Sequence, residues 1–252
     1  MNAASLTVLV TGATAGFGAA IARRFIAEGA KVIGTGRRQE RLDSLREELG
    51  ERFHAVCFDV SDREAVLAAI TVIPAEFSAI NVLVNNAGLA LGTGPAQNAD
   101  LDDWDTMIRT NVNGLLYCTH AVLPGMIERK IGHVVNIGSV AGNWSYPGAN
   151  VYGGTKAFVG QFSKNLRTDL LGHAIRVTDI QPGNAETEFA LVRFKGDTDA
   201  AKVPYAGIEA LSADDIAESV FWVATLPAHV NINSMEVMPT MQAWAGFAFH
   251  RE

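Results

Sequence analysis

The 252-residue chain contains only two cysteines, Cys57 and Cys118, set far apart. That excludes a disulfide framework, and no Cys/His spacing resembles a zinc site. Both thiols read as small buried apolar residues, in keeping with a reducing compartment. Positive charge is also scarce, with 20 Lys and Arg against 27 Asp and Glu and a net charge of -7. This balance gives no general attraction for nucleic acid or an anionic membrane, so an anionic ligand must be held by a local basic cluster. No apolar run approaches the roughly 20 residues of a membrane helix. The opening MNAASLTVLVTGATAG has no basic region before its apolar run and breaks at Gly12. It reads as a strand rather than a signal peptide, which makes the cytoplasm the expected location.

Apolar sequence, by contrast, is plentiful, at 48% against 19% charged residues, which suits a folded core and argues against disorder. Length and even composition fit one domain over 1–252. Short β-branched runs at 6–10, 31–35, 53–58, 81–85, 133–138 and 175–180 alternate with amphipathic stretches at 17–29, 39–49, 102–129 and 151–171. Strands apolar throughout imply burial on both faces, so the expected fold is α/β: a Rossmann-like, doubly wound parallel sheet. Ser212 and Asp215 are spaced close to a capping box, and Pro124 predicts a bend in the 102–129 helix. The Gly- and Pro-containing stretch 183–208 breaks the alternation and reads as a substrate loop over the carboxyl edge of the sheet.

Directly after the first strand comes Gly12-Ala13-Thr14-Ala15-Gly16-Phe17-Gly18, which runs into a helix. Glycines there permit a tight turn and a close approach of backbone N–H groups to a pyrophosphate at a helix N-terminus. The second strand ends at Arg37-Arg38, where a carboxylate would suit NAD. Two guanidiniums suit the 2′-phosphate of NADP instead, and Arg at a helix start is unfavourable without an anion. Asp59-Val60 and Asn86-Ala87-Gly88 end two further strands. Asp59 could accept a hydrogen bond from adenine or cap the next helix, and Asn86, Ala87 and Gly88 could line the adenosine or form a turn.

Ser139 closes the fifth strand, and Tyr152 and Lys156 stand four apart at the start of the next helix, hence on one face. An unperturbed Tyr, with a pKa near 10, is too weakly acidic to serve as a base at neutral pH. A neighbouring ammonium and the positive oxidised nicotinamide should favour its phenolate. Ser139 can donate a hydrogen bond to an oxygen on which charge develops. Pro182-Gly183 with Thr187 would stand near the nicotinamide carboxamide, or form a plain turn. Asn111, inside the long helix, could equally serve a local kink.

TGATAGFG, NNAG, TNVNG, Ser139, YGGTK and PGNAET occur in an order that resembles the short-chain dehydrogenase/reductase family across nearly the whole length. The resemblance implies Tyr152 as general acid/base, Lys156 on the nicotinamide ribose, Ser139 orienting the substrate, and Asn111 supporting a proton relay. TGRRQERLDSLREELG, NNAGLALG, VLPGMIER, FKGD and LPAHVNIN further resemble the NADP-dependent 3-hydroxy acid dehydrogenases within it. That implies L-serine, L-allo-threonine and 3-hydroxypropionate or malonic semialdehyde as substrates, although PGNAETEF is shorter than the Gly-rich segment usual in the group. Arg193 and Lys195 are the basic residues of the substrate loop that could meet a carboxylate. A broad carbonyl or 3-oxoacyl reductase, or an NADP-holding sensor without turnover, are the competing readings. The resemblance also implies a homotetramer through the long helices. Met235, Val237, Met238, Met241, Trp244, Phe247 and Phe249 are expected to pack on a second subunit or on the chain's own core.

Overall fold

A computed structural model describes residues 2–244. Seven strands form one parallel sheet in the order β3-β2-β1-β4-β5-β6-β7: β1 (Thr7–Val10), β2 (Lys31–Gly36), β3 (Phe53–Cys57), β4 (Val82–Asn85), β5 (Gly132–Ile137), β6 (Ile175–Pro182) and β7 (Ser234–Val237). Every residue of β1, β4, β5 and β6 is buried, as their apolar runs require of strands covered on both faces. The edges β3 and β7 are partly exposed. β7 lies beyond the six strands that the alternation predicts. Its SMEV holds a single β-branched residue and gives no strand signal. Met235 and Val237 pack on the chain's own core, Met241 and Trp244 are exposed, and Phe247 and Phe249 lie outside the described residues.

Helices cover both faces. On one side stand α1 (Gly16–Ala27), α2 (Gln39–Leu49) and, near the C-terminus, Ala213–Thr225; Ile21, Phe25, Leu42, Ile216 and Val220 meet the sheet there. The far face is covered by α3 (Arg63–Thr71) and by helices formed from the 102–129 and 151–171 regions, through Val66, Cys118, Val122, Met126 and Leu166. Full burial of a Phe or Leu side chain stabilises by about 1.5–3 kcal/mol, so the two clusters fix how the helices sit on the strands.

The expected single helix over 102–129 is divided into α4 (Leu101–Ile108), a π-helical turn at Arg109–Gly114, and α5 (Leu115–Arg129). The irregularity therefore lies at the π turn rather than at Pro124, through which α5 continues. The carbonyl that the missing N–H of Pro124 would have met belongs to exposed His120, where water can serve it. Then comes α6 (Asn150–Asp169), and after β6 the 183–208 stretch holds two short helices, α7 (Glu188–Arg193) and α8 (Thr198–Lys202). The helix at Ala213–Thr225, α9, starts on the anticipated capping box, with Ser212 and Asp215 bonding each other's backbone N–H.

Candidate active site

A continuous cleft of about 910 Å³ runs along the carboxyl ends of the strands, where β1 and β4 diverge. This is where an open α/β sheet leaves room for a ligand. One end is formed by the turn after β1. Gly12 and Gly16 adopt positive φ (70° and 49°), and Ala15, the N-cap of α1, offers no side chain to the first-turn N–H groups. Those donors stay open to an anion. Gly18 is buried behind the turn and does not line the cleft; a Cβ there would collide with the Gly12 carbonyl. Gly18 thus allows α1 to pack closely on the turn. Asn86 lines the cleft, yet its amide is engaged by the turn, donating to the carbonyls of Thr11 (2.8 Å) and Gly12 (3.3 Å). Thr11 Oγ1 accepts from the N–H groups of Asn86 and Ala87, both at 3.0 Å. Thr11 thus braces β1 against β4, a role signalled only by its place beside Gly12.

Arg37 and Arg38 both line this end. Arg37 pairs with Asp59 at 3.3 Å, and Asp59 also accepts from the N–H and hydroxyl of Ser61. Those bonds outweigh partial burial and hold the Asp59 carboxyl below its usual range. The cap of α3 is Asp62, not Asp59. Arg38, the N-cap of α2, donates to Thr14 Oγ1 at 2.9 Å and to Glu188 at 3.2 Å. Arg41, one turn on, meets the same carboxylate at 2.7 and 2.8 Å. The anion that basic residues at a helix start call for comes from the chain's own α7. Arg41 and Glu188 were not read from the sequence. Arg41 could have been found by its i+3 spacing from Arg38, whereas Glu188 is 147 residues away from Arg41. Val60, Ala87 and Gly88 continue the wall, and Thr187 faces Gly16 from the loop, 3.4 Å from where a Gly16 Cβ would stand.

The other end is buried. Tyr152 and Lys156, on successive turns of α6, are 9% and 8% exposed, with Lys156 Nζ 5.9 Å from the Tyr152 ring centroid. Lys156 donates to the Ile137 carbonyl at 2.7 Å. Ser139, whose Oγ accepts from the Ala141 N–H, Pro182 and Gly183 close this end. Burial pushes the Tyr152 hydroxyl up to about 12, against the hydrogen-bonding pull of Ser139 and the charge of Arg193. Desolvation thus dominates in the chain alone, and the charge that opposes it is that of Arg193 rather than the expected Lys156. Burial lowers Lys156 to about 8, opposed by the charge of Asp179. Asn111 sits in the π turn behind the cleft, 2% exposed; its amide donates to Leu89 O (2.8 Å) and Thr155 (3.1 Å), and its oxygen accepts from Leu89 N–H (2.8 Å). It holds the strand-end loop to α6 and does not line the cleft.

Of the two basic loop residues, Lys195 lies away from the cleft and pairs with Asp103 at 2.8 Å. Arg193 lines it, 5.9 Å from the Tyr152 ring centroid, and among the described residues bonds only uncharged oxygens: Tyr146 Oη (2.9 Å), Gly92 O (3.3 Å) and Gly148 O (3.4 Å). Among the described residues no cluster of metal-ligating side chains occurs and no helix is long and apolar enough to cross a membrane.

Residues 6–197 match the family model described as short chain dehydrogenase. The chain is 59% identical to the NADP-dependent 3-hydroxy acid dehydrogenase YdfG of Escherichia coli O6:H1, over 98% of this chain and 100% of that protein. It is 55% identical to the serine 3-dehydrogenase of Agrobacterium fabrum, over 98% of each. Among solved structures it resembles the closed form of a serine dehydrogenase complexed with NADP+, with a TM-score of 0.96 and 59% identity over 97% of this chain and 99% of that one. With the match reaching from β1 into the loop that carries Arg193, the chain belongs to the short-chain dehydrogenase family.

Proposed function

We propose that the chain is an NADP-dependent oxidoreductase that interconverts the 3-hydroxyl and 3-oxo groups of small 3-hydroxy acids, among them L-serine, L-allo-threonine and 3-hydroxypropionate or malonic semialdehyde. The observation that carries this reading is Arg193: a guanidinium facing the cleft beside Tyr152 with no acidic partner among the described residues. A substrate carboxylate would complete it. The names of the E. coli and Agrobacterium relatives support the same substrate class.

The open first-turn N–H groups of α1 and the exposed guanidiniums of Arg37, Arg38 and Arg41 fit a pyrophosphate and a 2′-phosphate. A nicotinamide cofactor held there would supply or take up the hydride. Tyr152, held neutral by burial, donates the proton to the carbonyl oxygen during reduction. Ser139 donates a hydrogen bond to that oxygen, and Lys156 holds the nicotinamide ribose. In the oxidative direction the positive charges of Lys156 and Arg193 act on the chain's side to stabilise the phenolate. Asn111 supports the relay by fixing the Leu89 loop, and Thr187, Pro182 and Gly183 hold the carboxamide side. The 183–208 segment serves as the substrate lid.

Initial rates with L-serine, L-allo-threonine, 3-hydroxypropionate and a 3-oxoacyl thioester test the assignment. Turnover of the thioester without the hydroxy acids would replace it with a 3-oxoacyl reductase, and NADPH binding without any turnover would leave only a sensor. Arg193→Ala should raise KM for the hydroxy acids about 10- to 100-fold, the equivalent of a charge-assisted hydrogen bond of about 1.5–3 kcal/mol. KM for an uncharged ketone should be unchanged, with only kcat reporting the charge lost beside Tyr152; an unaltered KM for the acids removes Arg193 from the site. A cytoplasmic homotetramer through α5 and α6 is proposed as well, supported by partly exposed Phe158 stacked on Phe162 of α6. A monomer mass by light scattering at all concentrations would overturn the tetramer.

A further inference from the structure

A second carboxylate lies behind the catalytic face with no role in the mechanism above. Asp179, in the middle of β6, is 2% exposed. Two glycines make its space. A Cβ on Gly138 would collide with the carboxylate, and one on Gly160 would stand 3.4 Å from Oδ2. Both glycines are tied to Lys156. Gly138 follows Ile137, whose carbonyl receives the Lys156 Nζ, and Gly160 is one turn along α6 from Lys156. The slot therefore sets the carboxylate beside the lysine without a direct bond between them.

The rest of its surroundings orient it. Gln181 Nε2 donates to Asp179 Oδ2 at 2.6 Å, and Gln181 Oε1 accepts from Asn143 Nδ2 at 2.8 Å, in the loop that follows Ser139. Oδ1 meets no donor in good hydrogen-bonding geometry among the described residues, with the Gly138 backbone N–H its nearby polar neighbour. A buried carboxylate left half-satisfied is destabilising unless a positive charge stands close, where the low local dielectric strengthens the attraction. The charged groups facing Asp179 are Lys156 and Lys164, both on α6. Those facing Lys156 are Asp179 from β6 and the Tyr152 hydroxyl from α6, while β5 offers the neutral Ile137 carbonyl. The neutral amide of Asn111 and the Lys156 Nζ both stand near Gly88, 3.3 and 3.6 Å from where a Cβ on it would lie.

We infer that Asp179, fixed by Gln181 and Asn143 in a slot cleared by Gly138 and Gly160, is a positioning residue that keeps the buried Lys156 in its ammonium form. This rests on the proposed role of Lys156 in holding the nicotinamide ribose. Burial already draws the lysine down to about 8, and Asp179 is the charge that opposes it. An ammonium is present below its pKa and lost above it, so removing the carboxylate should bring that loss to lower pH.

The test follows NADPH binding by its fluorescence from pH 6 to 10, alongside the pH profile of carbonyl reduction. In Asp179→Asn, which keeps an acceptor for Gln181, the alkaline loss of both should move down by about one pH unit, a tenfold weaker binding at a given alkaline pH. Gln181→Met, which leaves the carboxylate but removes a donor to it, should move the loss the same way by less. If Asp179→Asn does not fold, the Gln181 variant decides. Wild-type profiles in folded Asp179→Asn, or in Gln181→Met when the former does not fold, overturn the inference. Wild-type protein that binds no NADPH at all fails the proposed function instead.

Discussion

The two ends of the cleft solve opposite electrostatic problems. At the arginine-lined end Arg37, Arg38 and Arg41 have side chains 63%, 45% and 46% exposed and already share Asp59 and Glu188. Each such pair is worth about 0–1 kcal/mol, so the end works by number of charges and remains open to exchange. At the catalytic end Tyr152 and Lys156 are buried and opposite charge is sparse. There one group can set a protonation state. On the proposed assignment, cofactor choice would be spread over several weak contacts and proton transfer concentrated in a few strong ones.

Breaking the concentrated end should have the larger effect. Tyr152→Phe should lower turnover by about 100- to 10,000-fold, the range for loss of a general acid, while NADPH still binds by fluorescence titration. Wild-type turnover would show that the proton comes from elsewhere. Arg38→Ala should lower the preference for NADP over NAD by about tenfold, read as the ratio of kcat/KM values, because it removes one charged contact in partial solvent. That loss should shrink near 1 M salt, where the Debye length falls to about 3 Å, whereas the Tyr152 effect should not. Glu188→Gln should be smallest, tightening NADP up to about fivefold by freeing Arg38 and Arg41. Weaker NADP binding would mean that Glu188 secures the lid rather than competing with the phosphate.

Features carried by local pattern were legible in the sequence. The parallel sheet followed from strands apolar throughout, the tight turn after β1 from glycines between a strand and a helix, and the shared face of Tyr152 and Lys156 from a four-residue spacing. Glu188 on Arg38 and Arg41 was not legible, since only the folded lid brings these residues together. Asp179 was hidden within a run read as a buried strand, because its slot consists of side chains that glycines lack. The direction of the Tyr152 shift was misjudged because residue spacing reveals a neighbouring charge but not the depth of burial. Proline was a poor guide to the break in the long helix, since Asn111 had long-range partners to satisfy and Pro124 did not.

The π turn at Arg109–Gly114 has a geometric consequence for everything upstream of it. An extra residue in a helical turn resets angular phase: the faces of α4 and α5 are offset by about 100° from where an unbroken helix would put them. Met107, on α4, can thereby reach the Leu91 N–H with its sulfur and pack with Leu89 and Ala90, while Cys118 and Val122, on α5, stay against the sheet. A chain one residue shorter at this point would lose one side chain and keep nearly the same helical rise, yet rotate Met107 away from the Leu89–Ala90 loop that packs with Tyr152.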